Sequence, residues 1–250
     1  MRAVIRVEAV KLTRSQVGVI ATPAVVGGFL LLLGGITAGV ASGNPELIAQ
    51  AGPAASLDWN GLLAGAAQIV AVISILGFGI VLAWMFGREF VEGTVTGLFA
   101  LPTSRAKIAL AKLTVYALWA IIVSTALTLG VLMLGLAFSY GLPSTEGWAG
   151  LGRLFVLGVL STGLAVPVAW LATLTRSLLA AVGGTIALVV AAQVGALAGA
   201  GGWMPFAAPA LWATSNGTDV TATQLGMTLA VPLVFVALSC VAWSRLQLDR

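Results

Sequence analysis

The side chains able to do chemistry are few, and they are concentrated. The 250-residue sequence has no histidine, a single cysteine (Cys240), twelve Lys and Arg, and eight Asp and Glu. Six of those charges fall in one stretch, Gly87 to Lys112: Arg88, Glu89, Glu92, Arg105, Lys107 and Lys112. Without histidine there is no imidazole for acid–base or metal work, and one cysteine forms no intrachain disulfide. Catalysis would need placed nucleophiles, acids or metal ligands, and outside this stretch the long apolar runs offer only scattered Ser and Thr. No catalytic residue and no metal ligand is therefore expected. What the stretch can do is recognition: two carboxylates, two glycines (Gly93 and Gly97) and a proline (Pro102) mark a polar segment surfacing between apolar runs.

The runs on either side set its position. Hydrophobic residues make up 60% of the chain, charged residues 8%, and the mean hydropathy is +1.08, whereas a soluble domain carries about a quarter charged residues. The runs are about 20 residues or longer, which suits membrane-crossing helices and not the alternating ten-residue strands of a barrel. The expected fold class is all-α, a polytopic membrane protein forming a single transmembrane domain over residues 1–250. The net charge of +4 reads as topology because the basic residues flank apolar runs, so no nucleic acid is expected as a partner.

Taken in order, residues 1–16 set Val4, Val7, Val10 and Leu12 against Arg2, Arg6 and Arg14, the pattern of an amphipathic helix lying on the membrane surface. A secretory signal is the competing reading, disfavoured because the following run of about 25 residues exceeds the 7–15-residue core of such a signal. Six spans are expected, at about 17–41, 61–86, 108–140, 154–175, 178–200 and 225–243. Loops are expected at 42–60 and 141–153, a tight turn at Arg176-Ser177, and an outer loop at 201–224 whose broken apolar segment runs from Trp203 through Pro205 and Pro209 to Trp212. That segment reads as short interfacial or re-entrant helices capping the bundle, and as a candidate outer gate. Asn216-Gly217-Thr218 also matches a glycosylation tripeptide.

Eleven of the twelve basic residues fall on one side of this layout and Arg153 alone on the other, which puts both termini and the 87–107 segment in the cytoplasm. Trp59, Tyr140 and Trp148 would mark the outer boundary, and Trp84, Tyr116 and Trp243 the inner one. The pairs Gly195/Gly199, Gly35/Gly39 and Gly61/Gly65 have the spacing that lets helices approach closely. Gln68, Gln193, Ser124, Thr125 and Thr128 are the polar residues inside the spans. They either line a substrate path or bond between helices and to their own backbone.

Within the central stretch, Arg88 and Glu92 are four apart and can pair, Gly93 and Gly97 loosen the helix, and Pro102 stops it. Thr103 or Ser104 caps the restart. Arg105, Lys107 and Lys112 would hold that end at the interface by snorkelling.

The order Glu89, Glu92-Gly93-Thr94, an apolar run, Leu101-Pro102-Thr103-Ser104-Arg105 and Lys112 resembles the signature of the type-2 ABC exporter permeases, in particular the small drug- and bacteriocin-export or self-immunity permeases of bacteria. The basic N-terminal helix, the six spans and the broken outer segment extend the resemblance over nearly the whole chain. It implies that residues 87–107 form a coupling helix docking on a separate ABC ATPase, with Glu89, Glu92, Gly93 and Thr94 shaping it and Pro102 and Arg105 setting its exit. It also implies two ATPase subunits, which bind ATP and magnesium, since no G-x-x-x-x-G-K-[ST] loop occurs here. Six spans are half a transporter in this family, so a second permease chain, identical or homologous, is implied too, in a bacterial cytoplasmic membrane. The larger members carry a big outer domain after the first span, for which Ser42 to Asn60 leaves no room.

The resulting expectation is the membrane subunit of an ATP-driven exporter of an amphipathic or hydrophobic substrate, with no cofactor of its own. A non-transporting scaffold or regulatory subunit of an ATPase complex, and an ATP-independent carrier, are the alternatives. The carrier is disfavoured by the absence of charge at mid-span.

Overall fold

The structure, a computed structural model, describes residues 1–99 and 102–247, and among these there is no strand. Helix α1 (Arg2–Thr13) leads through Ser15, whose Oγ accepts the Gly18 N–H at 2.9 Å, into α2 (Gln16–Ala41). The loop expected at 42–60 is instead partly helical, with α3 (Pro45–Ala51) followed by a 3₁₀ turn at Gly52–Ala55. Its start is a local signal: Asn44 Oδ1 caps the N–H groups of Glu46 and Leu47, and Pro45 takes the first position.

Asp58 caps α4 (Trp59–Val91), and after the short α5 (Val95–Phe99) comes α6 (Arg105–Ala137); α4 and α6 are each 33 residues long. Helix α6 ends before Tyr140, at a left-handed Ser139. The expected loop at 141–153 is also corrected, because Ser144 caps a helix that begins there: α7 (Thr145–Leu164) carries Arg153 within it. Helix α8 (Pro167–Thr175) ends at Arg176, left-handed at φ 50°, and Ser177 caps α9 (Leu178–Leu197), so the expected tight turn is present. A 3₁₀ turn at Gly201–Trp203 and α10 (Ala208–Thr214) precede α11 (Ala222–Thr228) and α12 (Ala230–Ser244).

Six helices or helix pairs are long and apolar enough to cross a membrane: α2, α4, α6, α7–α8, α9 and α11–α12. Helix α4 and the α7–α8 pair form the centre, each 61% buried over its most apolar window, against 11% for α9 and for α11–α12 at the perimeter. The close approach of α9 to α4 depends on glycines of α4 and not of α9. A Cβ on Gly79 would strike Thr185, and one on Gly87 would press on Leu178. Gly199, one of the expected packing pair, lies beyond the end of α9 at φ 75°.

Two spans are broken at corresponding depth. Proline at 167 has no N–H and cannot continue the ladder of α7. Val166 N–H turns to the Gly163 carbonyl, and the Thr162 carbonyl is taken by the Tyr116 hydroxyl at 3.0 Å. Pro232 of α12 lies against Gly163. Tyr116, expected at the membrane boundary, is instead 1% exposed within the bundle, because its hydroxyl has this buried carbonyl to serve. Tyr116→Phe would leave the Thr162 carbonyl without a partner in a water-free interior and is expected to cost about 1–3 kcal/mol. Thermal unfolding in detergent measures it, and an unchanged midpoint would refute the assignment.

Candidate functional site

The apolar stripe that buries α4 continues into its charged end. Val81, Leu82, Met85, Phe86 and Glu89 recur at three- and four-residue spacing and are all buried. Arg88 and Glu92 fall on another face, where Nε of Arg88 meets Glu92 Oε2 at 2.9 Å and the guanidinium lies 5.0 Å from the Trp84 ring. Gly93 closes the helix at φ 67°, a conformation that costs little only without a Cβ. Helix α5 and Pro102 separate this end from α6, which Ser104 precedes with extended backbone and no side-chain cap. Leu101 lies outside the described residues, as does the tail residue Arg250.

Facing Glu89 across the α4–α6 junction is Lys112, and between them comes α1. Lys112 Nζ is 2.7 Å from Glu89 Oε1, 2.8 Å from Glu8 Oε2 and 3.0 Å from the Met85 carbonyl. Lys11 Nζ reaches Glu8 Oε1 at 2.7 Å and Glu89 Oε1 at 3.0 Å. The result is two carboxylates and two ammonium groups in one neutral cluster, with Glu8, Glu89 and Lys112 almost wholly buried and Lys11 a third exposed. Charges tolerate such burial only when paired and hydrogen-bonded. Burial raises the Glu8 carboxyl, but the opposing charge of Lys112 and the hydrogen bonds from both lysines leave it below its ordinary value. For Lys11 burial acts downward, and the Glu8 hydrogen bond and the Glu89 charge more than offset it, leaving the ammonium above its ordinary value.

Lys112 therefore does not snorkel to the interface as its position suggested. It is 2% exposed, because α1 brings it a carboxylate from 104 residues away. Trp243, expected at the inner boundary, is likewise fully buried. Its ring lies 5.8 Å from Lys112 Nζ and edge-on to Phe86 and Phe90, and its indole N–H donates to Thr173 Oγ1 at 2.9 Å. The cluster thus joins α1, α4 and α6, and Trp243 fastens α12 and α8 onto it. Glu8 and Lys11 were not singled out from sequence, and Trp243 was singled out only as a boundary marker. Glu8 carried a signal, lying four residues before buried Leu12 on the inward face of α1.

The expected coupling residues separate into two groups. Glu89 is inside, with Oε2 lacking a hydrogen-bond partner among the described residues, and it borders a cavity of about 220 Å³ whose other wall includes Thr94, Gly97 and Leu98. Glu92, Gly93, Thr94 and Pro102 are exposed, and Arg105 donates to the Leu246 carbonyl, holding the segment after α12. Arg176 does the same at the Gln247 carbonyl, 3.0 Å away.

At the far end of the bundle, Gln68 and Gln193 share a cavity of about 200 Å³ with residues of the α10 region. The hydroxyls of Ser124, Thr125 and Thr128 instead bond the carbonyls of Ala120, Ile121 and Ser124 on their own helix. Helix α10, within the segment expected to cap the bundle, packs on α4 and α7. Trp203 is 64% exposed, Trp212 and Pro205 are half-buried, and Pro209 is buried in the first turn of α10.

The family described as ABC-2 family transporter protein matches residues 4–194, from α1 into the last turn of α9. The chain belongs to this family. As an ABC-2 protein it is a multi-pass membrane component of a transport system, of a kind that is generally non-catalytic and associates with ABC ATPases. The ion cluster of Glu8, Lys11, Glu89 and Lys112 lies wholly within the matched region. Comparison with curated proteins finds no match.

Proposed function

We propose that the chain is the permease subunit of an ATP-driven exporter that moves an amphipathic or hydrophobic substrate out of the cytoplasm or the inner leaflet. Two ATPase subunits holding ATP and magnesium drive it, a second permease chain, identical or homologous, completes it, and it sits in the bacterial cytoplasmic membrane with both termini inside. The observation that carries this reading is the pairing of an exposed docking element with a buried anchor. Glu92, Gly93, Thr94 and Thr96 are exposed between the two longest helices while Val95 and Leu98 of α5 turn inward, and one turn away Glu89 is bound into the cluster that joins α1, α4 and α6. A push on α5 is thereby delivered to three helices together. Glu92, Gly93, Thr94, Pro102 and Arg105 form the docking surface and its exit, while Glu89 acts one step behind it. Gln68 and Gln193 border the substrate path, and Trp203, Pro205, Pro209 and Trp212 form its outer gate.

The test is co-purification of the tagged chain with its ATPase from native membranes in mild detergent. The pair of changes Glu92→Ala and Gly93→Val removes an exposed carboxylate and strains a left-handed turn. ATPase recovery is expected to fall roughly tenfold or more, the scale of losing an interface hot spot, while the bundle keeps its melting temperature. Unchanged ATPase recovery together with unchanged export would rule out this docking site.

A further inference from the structure

The outward face of α1 is basic, and its composition points to what lies against it. Sequence spacing put Val7 and Val10 with Val4 and Leu12 on one apolar face, but α1 divides them. Leu12 and Glu8 turn into the bundle with Val4 half-buried beside them, while Val7 and Val10 are 53% and 42% exposed. They form a groove with Arg6, Lys11, Arg14 and Arg88. Every carboxylate near this groove is already engaged: Glu8 and Glu89 by Lys11 and Lys112, and Glu92 by Arg88. Arg6 and Arg14 make no ion pair among the described residues, so the groove keeps a net positive charge above an apolar floor.

Its depth is fixed by connectivity. Arg14 ends α1, Ser15 caps the first span at Gln16, and Arg88 stands in the last turn of the second span. The groove therefore lies where apolar spans give way to water, the level of lipid headgroups. Arginine offers a fork of donors matched to phosphate oxygens, and exposed valines between the arginines suit the upper part of an acyl chain.

We propose that this groove is a binding site for an anionic phospholipid, with Arg6 and Arg14 on the phosphate and Val7 and Val10 under the first acyl carbons. Because α1 is ion-paired to α4 and α6, such a lipid is held against the base of the proposed docking element. The site depends only on the chain being in a membrane, and no ATPase is needed to detect it.

The experiment equilibrates the purified permease alone with equal amounts of phosphatidylglycerol and phosphatidylcholine in mild detergent, and quantifies the lipid retained through a second purification. Phosphatidylglycerol is expected to be enriched, and the pair Arg6→Gln and Arg14→Gln to reduce the enrichment roughly tenfold, given the attraction of each basic residue to anionic lipid. Both arginines are exposed, so folding should survive, as an unchanged melting temperature would verify. Arg153→Gln, at the far end, matches the sign of the charge change and is expected to leave retention unaltered; an equal loss there would show a net-charge effect and overturn the proposal. Val7→Asn with Val10→Asn is expected to lower retention with all arginines present. Displacement of the lipid by excess inorganic phosphate would make the groove a free-anion site and overturn it, as would retention by the arginine pair variant. Loss of a co-purifying protein in place of lipid would do the same.

Discussion

Replacing Lys112 with methionine is expected to destabilise the protein by about 3–5 kcal/mol, the scale of breaking a buried ion pair from one side. The side chain is 2% exposed and serves Glu8, Glu89 and the Met85 carbonyl at once. Without it, two buried carboxylates share the single ammonium of Lys11. The expected readouts are a lower melting temperature in detergent and faster trypsin cleavage after Arg6 and Arg14, as α1 comes away from the bundle. The decisive comparison adds Glu8→Gln and Glu89→Gln to the same background. Removing both carboxylates leaves only the Lys11 ammonium, which is a third exposed and can turn to water, so no buried charge stays uncompensated and most of the loss should be recovered, because neutral replacements of buried ion pairs are often nearly as stable as the pairs themselves. If the triple variant is as unstable as Lys112→Met alone, charge imbalance is not the cause.

Trp243→Ala comes next, at about 3–5 kcal/mol for emptying the site of a buried indole. The ring is fully buried, packs edge-on to Phe86 and Phe90 at 5.7 and 6.3 Å, and binds Thr173. Its loss detaches α12 from α4 and from α8 at the end nearest α5, and with it the tail carbonyls held by Arg105 and Arg176. Trp243→Phe keeps most of the packing but not the N–H, and should recover all but about 1 kcal/mol, the worth of the hydrogen bond. Melting temperatures of the two variants check this; equal losses would mean that packing is not what the indole contributes.

The six long apolar helices were legible in the sequence because length and hydropathy alone determine them, and so were the turn at Arg176 and the break at Pro102. Helix starts inside the expected loops were missed although their caps are short-range signals: Asn44-Pro45-Glu46 opens α3 and Ser144-Thr145-Glu146 opens α7. The ion cluster was partly legible. Glu89 extends the stripe of Met85 and Phe86, and Lys112 follows Ile108 and Ala109 and precedes Val115 and Tyr116, all buried. Helical spacing thus placed both charges on inward faces, while charge count drew attention to the surface. Their partner was not legible, since nothing local to Glu8 indicates that α1 folds back on a helix a hundred residues later.

The two broken spans give the bundle a division of mechanical labour. Helices α7 and α8, and α11 and α12, are jointed, and their joints meet where Pro232 rests on Gly163. A joint absorbs tilt by local bending and passes little torque. Helices α4 and α6 have no such joint, and at 33 residues each is a rod about 50 Å long. Helix α4 alone of the two runs from Glu89 to the cavity of Gln68, so under the proposed coupling a displacement at α5 would travel to that cavity along α4.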